Sequence, residues 1–393
     1  MNSRRFLMLS GALAAVFVVL IVGTSTLRGA PEDNFQYNIL GISNTAPGQR
    51  PVVTFSVTNP ITGVLYDLTG PAFTAPNGLS RLFIQIGWSS AEFTNRGSGS
   101  QLASVGPTPA SPIAINALSS AVQVDSNGNY YVESPRAIPA GTTGSGAVAI
   151  EGHPAADSNL DGTMDLRVPV KSAIRYFAIT DPTPVARRAP VDINKCKRCH
   201  QPHLSLHGNN RTDEPRVCAM CHNPDNTDIA YRTAGAEAPI DFKYMVHAIH
   251  AGQRRESPFV VIGFQGTMHD FSDVRFPGEL SDCLNCHVAG KFELPLGSQV
   301  LGTTVATGSS LSPKAVDADP ANNLRISPTA AVCSSCHDDG ETRAHMTRNG
   351  AQFSATQAQI NRGNERCVNC HGSGKREDIR RVHDVGGISG DHD

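Results

Sequence analysis

The sequence predicts a chain of two unlike parts. An N-terminal all-β region, a split barrel or sandwich, precedes a region of short helices and loops wrapped around groups that are not side chains. Three observations predict this. Residues 34–190 carry no Cys and a single His, His153, and alternate apolar with polar positions between turn residues. All ten cysteines lie from Cys196 onward, always as C-x-x-C followed directly by His. The C-terminal half shows neither sustained strand alternation nor a long amphipathic helix, so its own side chains cannot build an ordinary core.

Composition narrows the function classes. At 393 residues and 41.7 kDa the chain has room for two or three domains. Lys+Arg is 33 against Asp+Glu 35, a net charge of −2, which excludes nucleic acid as a partner because its binders carry a basic excess. With 36 Gly and 26 Pro the chain is rich in turns, and one apolar stretch is too few for a multi-spanning transporter.

That stretch runs from Phe6 to Gly23 behind Arg4 and Arg5. Residues 1–30 therefore read as a secretory signal peptide, with an uncleaved N-terminal membrane anchor as the alternative. No cysteine stands near it, so a lipoprotein anchor is not expected. The protein is expected to be exported, and to work in the periplasm, at the outer membrane or on the cell surface.

Residues 31–186 form the β-rich region. Val53, Phe55 and Val57 alternate with Thr54, Ser56 and Thr58, while Leu82, Ile84, Ile86 and Trp88 share one face. Further strands are expected at Tyr130–Val132, Leu166–Val170 and Ile174–Ile179, and Gly97–Pro112 reads as a long loop. One turn has two readings. Asp157, Asn159, Asp161 and Asp165 place oxygens at alternating positions around Gly162, as calcium loops do, but Val168 falls where such a loop has its bidentate Glu. A calcium site and a plain polar hairpin both fit.

A proline-marked linker, Asp181–Pro190, leads into residues 187–393. The five units are Cys196, Cys199 and His200; Cys218, Cys221 and His222; Cys283, Cys286 and His287; Cys333, Cys336 and His337; Cys367, Cys370 and His371. Two thiols at i and i+3 share a helical face and can each bond one vinyl group of a porphyrin, with the next residue beneath the iron. Zinc ribbons do not demand a His after every pair, and a redox dithiol has no use for one. The reading is five covalently attached c-type haems, a pentahaem c-type cytochrome domain whose macrocycles supply the missing core.

The opposite face of each iron decides between relay and catalysis: closed on both sides it carries electrons, open it can transform a ligand. Eight further histidines are available, and Met245, Met268 and Met346 are less simple choices. His247 and His250 stand at i and i+3 on a helix expected over Phe242–Ala251, capped by Asp241 and stopped at Gly252, so each can reach a different haem. His383 follows a helix expected over Arg376–Val382, and His345 lies in a polar stretch after the fourth unit. His203 is only three residues past His200, so His207 is the better placed of those two. The distal set is then His207, His247, His250, His345 and His383, with His269 and His392 spare.

Residues 191–393 resemble one pentahaem domain of the OmcA/MtrC family of outer-membrane multihaem cytochromes. The matching stretches are Leu206-His207-Gly208 with Arg211, the run Cys218–Pro224 (CAMCHNP), Met245–Gly252, Asp270–Gly278, and Val382-His383. Asn209 stands where the family usually has a second glycine. The β-rich region looks like the split β-barrel domain that precedes each such domain. The resemblance implies electron transfer across the outer membrane to metal oxides, flavins or other cytochromes, with a porin–cytochrome complex as partner and possible metal-oxide or flavin reductase activity. Relatives of known type carry ten haems; this chain has motifs for five and no lipobox cysteine, so a periplasmic relay or filament subunit is a second expectation. A small-oxyanion reductase with one open haem is the reading from a different class.

Overall fold

The computed structural model describes residues 31–94, 111–307 and 321–387. The signal or anchor segment, most of the Gly97–Pro112 loop and His392 lie outside them. The N-terminal part holds β1 (Gln36–Ser43), β2 (Val52–Thr58), the one-turn helix α1 (Pro71–Thr74), β3 (Arg81–Trp88), β4 (Ile113–Asn116), β5 (Gln123–Val124), β6 (Tyr130–Glu133), β7 (Ser145–His153), β8 (Ala155–Ala156), β9 (Leu166–Arg167) and β10 (Ala173–Ala178). Two four-stranded antiparallel sheets form, in the orders β1-β2-β6-β5 and β10-β7-β3-β4.

The period-two pattern explains how they face. Val53, Phe55 and Val57 of one sheet and Leu82, Ile84, Ile86 and Trp88 of the other are fully buried in one cluster. Each large apolar side chain buried this way stabilises the fold by about 1.5–3 kcal/mol. The sheets do not close into a barrel. Where β1 approaches β10, a register shift between Ile39 and Gly41 breaks the outer strand, and Arg175 Nη1 donates to the carbonyls of Ile39 (2.9 Å) and Leu40 (2.6 Å). A side chain thus spans the seam that a backbone ladder would otherwise fill.

Two strands escape the sequence pattern. β7 is buried along its whole length, and its small residues (SGAVAIEGH) carry no alternation. β1 is interrupted by its bulge. The strand expected over Leu166–Val170 shrinks to two residues, because Pro169 has no N–H to continue the ladder.

The rest of the chain is small elements: helices α2 (Ile193–Cys196), α3 (Pro215–Cys221), α4 (Phe242–Ala251), α5 (Pro328–Ser334), α6 (Gly340–Arg348), α7 (Val368–His371) and α8 (Ile379–Val382). Between them lie three two-stranded ribbons, β11 (Ser205–Leu206) with β12 (Arg211–Thr212), β13 (Val260–Ile262) with β14 (Met268–Asp270), and β15 (Thr303–Ala306) with β16 (Leu324–Ile326). Its apolar cluster is thin and alanine-rich, with Ala248, Ala330 and Ala331 around Tyr244 and Phe259. A fully buried Arg325–Asp225 ion pair ties β16 to the segment after the second C-x-x-C-H unit. Helix α4 has the bounds expected from its caps. The helix expected over Arg376–Val382 is one turn only, because the Asp378 carboxylate accepts from Arg380 N (2.9 Å) and starts it there.

The linker is not a free tether. Arg187 and Arg188 both pair with buried Glu92, at 3.3 and 2.7 Å. Phe93, Ala147 and Ala149 pack against Val217, Ala219 and Met220 of α3, so β7 touches the second C-x-x-C-H helix directly. Among the described residues no helix is long and apolar enough to cross a membrane.

Gly152, at the end of β7, has φ +139°, and a Cβ there would sit 2.2 Å from Arg81 O. Gly152→Ala is expected to destabilise the β region by about 2–3 kcal/mol through overpacking against β3. A fall in the midpoint of thermal unfolding, followed by circular dichroism, checks this; an unchanged midpoint contradicts it.

Candidate haem-binding site

All five C-x-x-C-H units fold into the same turn. The backbone N–H of the histidine donates to the carbonyl of the first cysteine in every case: His200 to Cys196 (3.0 Å), His222 to Cys218 (2.9 Å), His287 to Cys283 (2.9 Å), His337 to Cys333 (2.9 Å) and His371 to Cys367 (2.8 Å). One helical turn therefore carries both thiols and the imidazole on one side. None of the ten cysteines is in a disulfide. Burial pushes the thiols of Cys218 and Cys333 up to about 12 and those of Cys221 and Cys283 up to about 11, so they stand protonated. Among the described residues no group of three or more His, Cys, Asp or Glu side chains is placed so as to hold a metal ion by itself.

The structure brings every motif histidine opposite one other imidazole. Ring centroids are 6.0 Å apart for His200 and His250, 6.0 Å for His222 and His207, and 5.9 Å for His287 and His247. They are 5.9 Å apart for His337 and His383, and 6.3 Å for His371 and His345. An imidazole nitrogen lies about 2 Å from a first-row metal it binds, so two rings on opposite sides of one metal have centroids about 6 Å apart. Five separate pairs meet that spacing.

Hydrogen bonds set the free nitrogen. Nδ1 of His222 is 2.8 Å from Ile240 O, that of His250 2.8 Å from Val246 O, that of His371 3.0 Å from Glu377 O and that of His383 2.9 Å from Ile379 O. An Nδ1–H spent on a carbonyl leaves Nε2 as the basic nitrogen for a metal. Nδ1 of His247 and His287 are buried and lean towards the carbonyls of Lys243 and Pro190 without closing hydrogen bonds. Burial lowers the pKa of His207 and of His247 to about 4, keeping both imidazoles in the neutral form a metal requires. The donor sets fit a covalently held haem: two thiols and one imidazole on a turn, and a second neutral imidazole opposite.

Helix α4 places two of these rings. The Asp241 side chain accepts from Lys243 N and from Thr303 Oγ1 (2.6 Å), fixing the helix start, and His247 and His250 point to different motif histidines, His287 and His200. Thiols of different units also meet. The thiols of Cys196 and Cys286 lie close enough to influence each other, which pushes the first up and draws the second down. Cys283 lies within electrostatic reach of Cys336, and Cys333 of Cys367.

The remaining candidates form none of these pairs, although His269 lies within electrostatic reach of His207. His203 Nδ1 is 2.7 Å from Asp213 Oδ2, in a cluster with Lys197, and His269 stacks on Phe271 at 6.4 Å. In the loop of Asp157, Asn159, Asp161 and Asp165 the side-chain oxygens accept from nearby donors. Asp157 Oδ2 accepts from Gly162 N (2.7 Å), Asp161 Oδ1 from Thr163 N (2.8 Å), and Asp165 Oδ1 from Ser158 N (2.8 Å). The sequence reading did not foresee the surroundings of His207: Arg211 beside it, paired with Glu151 of β7. Arg211 was visible only as part of a motif, because its partner lies sixty residues away.

A family model described as outer membrane cytochrome MtrC/MtrF-like, domains II/IV, matches residues 188–384. Among solved structures the chain is similar to MtrC from Shewanella baltica OS185, with 18% identity and a TM-score of 0.53, over 86% of this chain and 51% of that one. The chain thus spans about half the length of that relative. No curated protein matches the sequence.

Asp241→Ala removes the cap of α4 and is expected to cost about 1–2 kcal/mol. Because α4 carries both His247 and His250, amide hydrogen exchange should speed up along the whole helix. Unchanged protection of α4 would show that packing alone holds it.

Proposed function

This chain belongs to the MtrC/MtrF-like outer membrane cytochrome family, and from that premise we propose that it is an exported electron-transfer protein that holds five c-type haems, each between two histidines. The observation that carries the proposal is the five imidazole pairs, each joining one C-x-x-C-H histidine to one other. When bound, each haem supplies a one-electron iron couple whose potential follows its axial ligands, burial and hydrogen bonds. The chain supplies the rest. Cys196, Cys199, Cys218, Cys221, Cys283, Cys286, Cys333, Cys336, Cys367 and Cys370 are the attachment thiols, and each imidazole pair closes one iron on both sides.

The same residues order the sites. Units one and three are joined twice, through the Cys196–Cys286 contact and through α4, which faces both. Unit four lies against α4 beside unit three, where Cys336 Sγ is 3.9 Å from His247 O, and Cys333 lies within electrostatic reach of Cys367 of unit five. Unit two lies against the start of α4, where Phe242 N donates to His222 O (2.9 Å). This is a line, one–three–four–five, with unit two to the side against the β region. A relay needs such closeness; a small-molecule reductase needs a motif histidine with no imidazole facing it, and none of the five lacks one. Other cytochromes or a porin–cytochrome complex are the fitting partners, with metal oxides or flavins as acceptors, and residues 187–393 are the haem-bearing domain.

The pyridine haemochrome assay on the purified protein should return five haems per chain, and EPR of the oxidised form should show low-spin ferric iron throughout. His383→Ala should convert one iron in five to high spin. A large high-spin signal in the unaltered protein, or fewer than five haems, overturns the proposal.

A further inference from the structure

The second haem site is built on the β region rather than on its own domain. Resting on the bis-histidine reading above, we propose that Glu151 of β7 is a positioning residue for His207: its ion pair with Arg211 holds the β11–β12 turn against the β region and keeps the second iron closed.

His207 sits in an unusual turn. His207, Gly208 and Asn209 are three consecutive residues in the left-handed region, with φ of 55°, 70° and 71°. A non-glycine residue avoids that region unless its surroundings impose it, and two of these three are not glycine. The ribbon that carries the turn pairs only Ser205 with Thr212 and Leu206 with Arg211, which is too short to impose it alone.

The β region imposes it instead. Gly152 N donates to Asn210 O at 2.7 Å, and Ser172 N donates to Thr212 O at 2.9 Å. Asn209 Nδ2 donates to Arg167 O at 3.2 Å. The strongest of these ties is the ion pair: Arg211 Nε is 2.7 Å from Glu151 Oε2, and Arg211 Nη2 donates to Glu151 Oε1 at 2.8 Å. The Glu151 side chain is 3% exposed, so the pair works where water screens it little. Gln85 Nε2 donates to the same carboxylate at 2.9 Å and holds it from the β3 side.

Across the site, α3 with Cys218 and Cys221 also packs on β7 through Ala219 and Met220. Both faces of the second site therefore rest on one strand, whereas His247, His250, His345 and His383 sit in or at the end of helices of the C-terminal part. The spacing of His207 from His222 is set by β7, and whatever displaces β7 opens this iron and leaves the other four closed.

The test compares haem-loaded variants by oxidised EPR and by carbon monoxide binding after reduction. Glu151→Leu and Arg211→Leu should each turn one iron in five high-spin and bind up to one carbon monoxide per chain, like His207→Ala. Gln85→Met, which loses a contact to the same carboxylate but not to the turn, should stay fully low-spin and bind none. If Glu151→Leu does not load haem, Glu151→Gln keeps the size of the side chain and removes the charge that pairs with Arg211; it should bind carbon monoxide measurably more than the unaltered protein.

The inference is overturned if Glu151→Leu, or Glu151→Gln in its place, stays low-spin and inert to carbon monoxide while His207→Ala opens one iron. It is also overturned if Gln85→Met opens the iron equally, since the effect would then be general loosening. If His207→Ala itself changes nothing, the ligand assignment fails rather than the role of Glu151.

Discussion

Two imidazoles about 6 Å apart are the arrangement that recurs five times in the C-terminal half of this protein, and on the proposed reading a metal held between them is the constraint on which the rest depends. Each pair joins segments distant in sequence, as His200 meets His250 and His337 meets His383. Helices of four to ten residues are marginal alone, and the apolar cluster around Ala248 and Ala330 is too thin to set their arrangement. The chain closes the same turn five times, caps short helices with Asp241 and Asp378, and lets the imidazole pairs define where those pieces meet. On the proposed reading, large covalently held groups would fill the intervening space, so that a small share of apolar side chains suffices.

The β region follows the opposite logic. Its two sheets bury large apolar residues on facing sides and need no other group. Its open seam, bridged by Arg175 across the β1 bulge, keeps it a pair of sheets rather than a barrel. The two halves nevertheless share a boundary of buried charge. Glu92 receives Arg187 and Arg188 from the linker, and Glu151 receives Arg211 from the turn of His207. Removing one partner from a buried pair costs more than the pair contributes, so these contacts specify how the halves meet more than they stabilise either.

The family relationship places this arrangement in context. The matching family model begins at residue 188, after the β region, and the solved MtrC structure is about twice the length covered. One β region followed by one haem-bearing region is a unit that can be understood by itself.

The sequence by itself pointed to the proposed chemistry, because covalent haem attachment needs thiols at i and i+3 followed by His, and that pattern is local. It also determined α4, whose caps at Asp241 and Gly252 are local, and the strands of β2 and β3, whose alternation records one buried face. Leu166–Val170 and Arg376–Val382 were read too long, since Pro169 and the Asp378 cap act on individual backbone groups. Strand β7 stayed hidden because a strand buried on both sides shows no period. The sequence could supply a set of second histidines but not their pairing. Which imidazole faces which, and that Glu151 reaches Arg211, are contacts across tens to hundreds of residues, and only the path of the folded chain decides them.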